Sequence, residues 1–151
     1  MYANILVPLD GSATSERGLQ EAINLAKALK SRLHLLHVID EYPLMVEMSS
    51  YASFDQMRQA MRDYGSQQLA GAQRAAAEQG LDAQTHLEET SGGRVAEAIL
   101  AQAQTLGCDL VVMGTHGRRG LRRTLLGSDA ELVLRGSSVP VLLVRRAADA
   151  A

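Results

Sequence analysis

The sequence predicts an α/β protein built on a five-stranded, doubly wound parallel sheet. Strand-like apolar runs and helix-like patterns alternate five times along the chain, and this alternation is typical of βαβ units. The strand-like runs are apolar almost throughout, as expected for strands covered by helices on both faces. Right-handed crossovers would place the four expected helices on two faces of the sheet.

The first half of the chain contains two expected strands and two expected helices. Ile5–Val7 and Leu33–Val38 are the strand-like runs. Between them, apolar residues recur at helical spacing, namely Leu19, Ala22, Ile23, Ala26 and Leu29. The irregular but apolar stretch from Ile39 to Ser53 is interpreted as a flap or docking loop. A long helix is then expected from Phe54 to Gln79, ended by Gly80.

The second half continues the alternation. A short strand is expected near Ala83–Leu87, and Leu110–Met113 and Val141–Val144 are the last two strand-like runs. A third helix is marked by apolar residues at helical spacing, namely Val95, Ala98, Ile99, Ala103 and Leu106. Ser128 and Glu131 form an S-x-x-E pattern, which predicts a capping box opening a fourth helix that ends at Gly136. Residues 1–146 are expected to form one domain, with a flexible tail at 147–151.

Composition excludes several classes of function. At 151 residues the chain is long enough for one well-buried core, and 15 Lys and Arg against 17 Asp and Glu give a net charge of −2. This balance does not favour general binding to nucleic acid or to membranes. The single cysteine, Cys108, is expected to be buried. No basic leader or apolar run of membrane-spanning length is evident, so the expected location is the cytoplasm.

The glycine pattern at 114–128 is the most informative motif. Gly114-Thr115-His116-Gly117 follows an apolar strand, and Gly127-Ser128 stands where a helix should begin. Glycine lets main-chain N–H groups converge on an anion, and a helix N-terminus adds further donors. The pattern therefore predicts a phosphate-binding loop, without the Gly-Lys-Ser/Thr of a Walker A motif. Gly114→Val or Gly117→Val is expected to abolish nucleotide binding and leave the fold largely intact.

Asp10 is the second candidate ligand residue, since it ends the first strand. In a sheet of order 3-2-1-4-5, the strand order reverses between the first and fourth strands, and a ligand is expected beyond their carboxyl ends. Asp10 and Gly114 would then face one another across the crevice. The alternative is that Asp10 only caps the turn into the first helix.

Three segments of the chain carry a further set of motifs. They are Val7-Pro8-Leu9-Asp10-Gly11-Ser12, His37-Val38-Ile39-Asp40, and the G-x2-G-x9-G-S pattern at 114–128, which Val139-Pro140-Val141 follows. In their order and spacing over almost the whole chain, these segments resemble the universal stress protein family. The resemblance to the ATP-binding branch implies a dimeric 3-2-1-4-5 fold that holds ATP, with Mg²⁺ or Mn²⁺.

The resemblance also implies a set of nucleotide-binding residues. Around the adenine and ribose these are Pro8, Asp10, Val38 and Met113, and along the ribose and phosphates they are Gly114, Gly117, Gly127 and Ser128. Asp129 departs from the small or apolar residue often found next in the family. Its carboxylate suits a helix N-terminus but would repel a γ-phosphate, so ADP and AMP remain alternatives to ATP.

Polar residues in the glycine loop complete the candidate site. His116 is expected to donate a hydrogen bond and not to act as a base. Guanidinium groups bind phosphate well, and four of them crowd the loop, namely Arg118, Arg119, Arg122 and Arg123; the alternative is a solvated loop. His34 and His37 lie three residues apart in a strand, so they should point to opposite faces and share no metal.

The expected function is a nucleotide-dependent switch in a stress response. One alternative is an ATP hydrolase or nucleotidyl transferase, although no residue near the glycine loop has an evident base or nucleophile partner. Another is a dimeric scaffold without nucleotide. The last strand, Val139 to Arg145, is apolar and is expected to be a sheet edge that pairs with a second copy of the chain.

Overall fold

The fold has five strands and four helices in the part of the chain that the structure describes. The structure is a computed structural model that describes residues 1–41, 51–92, 94–116 and 125–146. In chain order the elements are β1 (Asn4–Pro8), α1 (Ala13–Leu29), β2 (Arg32–Asp40), α2 (Tyr51–Glu78), β3 (Ala83–Thr90), α3 (Val95–Thr105), β4 (Leu110–Gly114), α4 (Ser128–Gly136) and β5 (Val141–Val144).

The five strands form one parallel sheet in the order β3-β2-β1-β4-β5. The central strand β1 places Ile5 opposite Leu33 on one side and opposite Leu110 on the other. The predicted fold class and strand order are confirmed. The strand order reverses between β1 and β4, so the carboxyl ends of these two strands border the expected crevice.

Each face of the sheet carries two helices. The helices α1 and α2 pack on one face, where they form a core with Ile5, Val7 and Leu35 of the sheet. The helices α3 and α4 pack on the other face, against Leu6 and Leu36. The alternation along β1 follows from the two-residue period of a strand. Both faces of β1 are buried, which explains why its sequence is a continuous apolar run.

Several element boundaries differ from the predicted ones. Ile39 and Asp40 extend β2, and α2 begins at Tyr51. Both ends of the predicted flap therefore belong to regular secondary structure. Its remaining part, residues 42–50, lies outside the described residues, as does the predicted tail at 147–151. The strand β3 continues to Thr90, beyond the predicted end at Leu87, because its polar final residues lie at a sheet edge and need no apolar cover.

The predicted capping box of α4 is wrong. Gly127 is the N-cap residue and provides no side-chain cap, while Ser128 is already helical. The side chain of Glu131 instead pairs with Arg135, with 2.8 Å between Oε1 and the guanidinium nitrogen. The S-x-x-E pattern was one residue out of register, because a glycine occupied the capping position and the sequence rule favours serine there.

Candidate functional site

The β1–α1 loop carries Asp10 in a tight turn at the carboxyl end of β1. The backbone N–H of Ser12 donates to Asp10 Oδ1 at 2.9 Å, and the N–H of Asp10 donates to Ser15 Oγ at 3.2 Å. Ser12 is the N-cap of α1 and accepts from the N–H of Ser15 at 3.2 Å. The turn-capping alternative for Asp10 is therefore present in the structure, and a ligand role for its carboxylate remains a prediction.

Gly114 lies at the point where β4 meets the first turn of α1. A Cβ built on Gly114 would lie 2.7 Å from the carbonyl carbon of Thr14 and 2.9 Å from the backbone nitrogen of Ser15. Its φ is not positive, since the described glycines with positive φ are Gly11, Gly80 and Gly107. Glycine is therefore required at position 114 because two backbones approach each other closely there. It is not required by a positive-φ turn that would wrap a phosphate.

Hydrogen bonds join three segments at this edge of the sheet. The hydroxyl of Thr14, in α1, donates to the carbonyl oxygen of His116, just after β4. The backbone N–H of Gly127, at the start of α4, donates to the carbonyl oxygen of Thr115 at 2.8 Å. The first turn of α1, the end of β4 and the N-terminus of α4 are thus connected at the edge where the strand order reverses.

The imidazole of His116 is only partly satisfied. Its Nδ1 lies 2.9 Å from Thr115 Oγ1. Its Nε2 is buried and has no hydrogen-bond partner among the described residues. Leaving a buried polar atom without a partner costs roughly 1–3 kcal/mol, and such atoms in native proteins call for an explanation such as a missing ligand, ion or water.

The first turn of α4 contributes backbone donors and negative charge. Its N-cap residue, Gly127, has no side chain to cap the first N–H groups, and Asp129 and Glu131 are the acidic residues in this turn. The N–H groups of a helix N-terminus are donors that suit an anion. The carboxylates of Asp129 and Glu131 offset part of the positive charge at this end of the helix dipole.

The other described candidates lie on or below the same edge. Pro8 is half-buried at the end of β1, opposite Leu36 of β2, and Val38 is half-buried two residues further along β2. Met113 is 7% exposed and belongs to the core on the α3 and α4 face, against which Val38 also packs. Gly117 and the four arginines predicted to crowd the loop lie outside the described residues.

Sequence reasoning missed two threonines that hold the site together. Thr14 fastens the first turn of α1 to the segment after β4, and Thr115 contacts the His116 imidazole. A partial signal was present in the run Ser12-Ala13-Thr14-Ser15, because hydroxyl side chains favour helix N-termini. Thr115 gave no signal, because its role depends on the rotamer of its neighbour.

Two histidines and the cysteine were also singled out in the sequence. His34 and His37 point to opposite faces of β2, as predicted. Cys108 is buried, as predicted, and burial raises the pKa of its thiol to about 11. Within the described ranges, no three His, Cys, Asp or Glu side chains are grouped so that they could hold a metal ion. None of the helices there is long and apolar enough to cross a membrane.

Comparison with known proteins assigns the chain to a family. The sequence profile of the universal stress protein family matches residues 1–145. The chain belongs to the universal stress protein family. It is 34% identical over 146 residues to the universal stress protein MJ0531 of Methanocaldococcus jannaschii, covering 97% of this chain and 84% of that protein. It is 35% identical over 153 residues to YxiE of Bacillus subtilis, covering 96% of this chain and 100% of that protein.

Solved structures share the fold. The structure of the hypothetical protein MJ0577 is similar with a TM-score of 0.85 at 29% identity, and the match covers 97% of each chain. Two more distant universal stress proteins with the same fold were solved with nucleotides. One is in complex with cAMP, at 23% identity and a TM-score of 0.66. The other, from Arabidopsis thaliana, has AMP bound, at 18% identity and a TM-score of 0.69.

Proposed function

We propose that this protein binds an adenine nucleotide where the carboxyl ends of β1 and β4 meet the N-terminus of α4. The observation that carries the proposal is the buried Nε2 of His116, which has no partner in the described part of the chain. A ligand oxygen would satisfy this atom. The first turn of α4, whose N-cap residue Gly127 has no side chain, supplies further backbone donors to the same region, and AMP-bound and cAMP-bound universal stress proteins share the fold.

The proposed contacts divide between the two ends of the nucleotide. Pro8, Asp10, Val38 and Met113 would surround adenine and ribose. The backbones of four residues would follow the ribose and phosphates, namely Gly114, Gly117, Gly127 and Ser128. His116 and Arg118 would donate to phosphate oxygens.

The proposed nucleotide is ATP with Mg²⁺ or Mn²⁺, and ADP or AMP are the alternatives. Mg²⁺ is usually held by one or two carboxylates together with substrate phosphates and water. Among the three joined segments, the β1–α1 loop supplies the carboxylate of Asp10, and the first turn of α4 supplies those of Asp129 and Glu131, so the residues present fit a metal held chiefly by the phosphates. The charge of Asp129 would disfavour a triphosphate that carries no metal.

We further propose that nucleotide occupancy acts as a switch in a cytoplasmic homodimer. Exposed leucines support association, since Leu132 and Leu134 of α4 are 55% and 48% exposed and Leu142 of the edge strand β5 is 39% exposed. The edge strand β5 would pair with its copy in a second chain.

The function is tested by analysing the nucleotide that accompanies the purified protein and by titration calorimetry. We expect mass spectrometry of the heat-released ligand to find an adenine nucleotide. His116→Ala should weaken its binding about tenfold, since a hydrogen bond to a charged group contributes roughly 1.5 kcal/mol or more. His86→Ala, on β3, is the matched control and should bind as the native protein does.

Each alternative function gives a different result in the same experiments. Absence of binding at millimolar ATP, ADP and AMP would support a scaffold and contradict the proposal. Sustained phosphate release from ATP, lost in Asp10→Asn, would support a hydrolase.

A further inference from the structure

Tyr64 of α2 covers the backbone of the β1–α1 loop next to Asp10. A Cβ built on Gly11 would lie 2.0 Å from Tyr64 Oη and 3.2 Å from Tyr64 Cζ. The phenol hydroxyl therefore occupies the space that a side chain at position 11 would need. Gly11 also has a φ of +81°, a conformation that residues with a Cβ rarely adopt. Helix α2 and the loop are thus in direct contact on one side of Asp10.

His37 of β2 holds the backbone on the other side of Asp10. Its Nδ1 lies 2.8 Å from the carbonyl oxygen of Leu9, in a buried position. A carbonyl oxygen only accepts, so the imidazole Nδ1–H is the donor. The backbone N–H of Leu9 also donates to the carbonyl oxygen of Leu36 at 2.7 Å, so the start of the loop is fastened to β2 by two hydrogen bonds.

His37 and Tyr64 also pack against each other. Their ring centroids lie 6.0 Å apart with the ring planes at 68°. The neighbouring Gly65 lets α2 approach closely, since a Cβ there would lie 2.6 Å from His37 Cδ2 and 2.8 Å from Leu87 Cδ1. Because close-packed groups of this kind transmit small displacements, a shift of α2 would reach the loop through both rings.

We propose that His37 and Tyr64 are positioning residues that hold the β1–α1 loop in its nucleotide-binding conformation and thereby make nucleotide affinity depend on the position of α2. The inference rests on the proposed nucleotide site, because Asp10 lies between the two anchored residues, Leu9 and Gly11. By linkage, bound nucleotide must in turn stabilise one position of α2 relative to the loop.

The first test measures AMP and ATP affinity in variants that change only these contacts. His37→Leu removes the donor and should weaken binding about tenfold. His37→Asn, whose amide can donate from nearly the same place, should recover most of that loss. Tyr2→Phe is the control for Tyr64→Phe, since Tyr2 lies at the amino end of the sheet, before β1.

A double-mutant cycle tests the contact between Gly11 and Tyr64. Gly11→Ala introduces both backbone strain and a clash with Tyr64 Oη. In the Tyr64→Phe background the 2.0 Å clash with Oη is removed, and the strain remains together with the tight 3.2 Å contact with Cζ. We expect Gly11→Ala to weaken nucleotide binding about tenfold more in the native background than in the Tyr64→Phe background. Equal losses in both backgrounds would overturn the proposed contact with the site.

A spectroscopic test separates positioning from mere structural support. With 3-fluorotyrosine incorporated, the ¹⁹F resonance of Tyr64, assigned from Tyr64→Phe, should shift on addition of AMP, and that of Tyr2 should not. If native protein binds AMP but the Tyr64 resonance stays fixed and His37→Leu binds normally, the inference fails while the proposed function stands. If native protein binds no nucleotide, both fail.

Discussion

Gly114 illustrates how one residue serves packing and the candidate site together. A Cβ at this position would lie 2.7–2.9 Å from atoms of Thr14 and Ser15, most of them backbone atoms that cannot rotate away. We expect Gly114→Ala to lower the free energy of unfolding by about 1–3 kcal/mol through overpacking, measured by urea denaturation. These contacts argue against the expectation that Gly114→Val leaves the fold largely intact.

Gly71 is the matched control for that substitution. It lies inside α2, and the nearest atom to a Cβ built there is a guanidinium nitrogen of Arg74 at 3.8 Å. Alanine favours the helix over glycine by about 1 kcal/mol, so Gly71→Ala should raise the free energy of unfolding by roughly that amount. Equal effects at positions 71 and 114 would contradict the packing account of Gly114.

We expect the stability of the fold to be sensitive to acid because His34 of β2 pairs with His86 of β3. His34 is 4% exposed, and its Nδ1 lies 3.2 Å from His86 Nε2, so at least one ring must be neutral to accept. Burial lowers the pKa of both imidazoles. The charge of His86, and then that of Arg32, lowers the pKa of His34 further, whereas Glu88 opposes the shift at His86.

Unfolded protein, whose histidines titrate near pH 6.5, therefore takes up protons before the folded protein does. The stability contributed by the pair is complete above that pH and is lost as the pH falls below it. The double variant with His34→Asn and His86→Gln should lose less stability than native protein between pH 7 and pH 5, by urea denaturation at each pH. Parallel curves for the two proteins would argue against this account.

At the scale of elements, an ion-pair cluster docks α2 onto the ends of β2 and β3. Arg58 contacts Glu41 at 2.6 Å and Glu89 at 2.7 Å, and Arg62 also pairs with Glu89. Hydrogen bonds from Arg62 and then Arg58 lower the pKa of the Glu89 carboxyl to about 2. The cluster fixes the early turns of the helix that carries Tyr64.

Because the pKa of Glu89 is depressed on folding, its contribution is present above about pH 4.5 and is lost as the pH falls towards 2. Glu89→Gln should reduce stability at neutral pH and flatten the acid-unfolding profile between these values. Glu97→Gln is the control, since the Glu97–Arg94 pair is 3.4 Å long and about two-thirds exposed and such pairs contribute little. Identical acid profiles for Glu89→Gln and native protein would contradict the account.

Most elements could be predicted because their hydrophobic pattern records burial. The runs at β4 and β5 are apolar for the length of each strand, and β1 is apolar after Asn4, so their positions followed directly. The pattern was less informative where burial is partial: the polar end of β3 extends to Thr90, and Gly127 took the capping position expected of Ser128. The contacts of Tyr64 and His37 with the loop depend on how α2 packs, and local sequence carries no record of that packing.

At the scale of the whole molecule, the two sheet edges differ in chemistry. The edge strand β5 is Val141-Leu142-Leu143-Val144, whereas the edge strand β3 carries His86, Glu88 and Glu89. Charged edges discourage pairing and apolar edges favour it. We expect Leu142→Lys to convert dimers to monomers in light scattering at micromolar concentration, and Thr85→Lys, an exposed site on β3, to leave the mass unchanged. A monomeric native protein would contradict the proposed dimer.

The central claim is that an adenine nucleotide binds where β1, β4 and α4 converge. Amide NMR during titration with AMP, and with ATP and Mg²⁺, tests it most directly because it reports the location as well as the affinity. The account predicts saturable shifts at Asp10–Ser15, Gly114–His116 and Gly127–Ala130. Gln67 and Gly71 lie on the α2 side of a cleft of about 200 Å³ that Gly11 and Ser15 also line. Shifts confined to these two α2 residues, with none at Gly114–His116 or Gly127–Ala130, or no shifts at millimolar nucleotide, would contradict it.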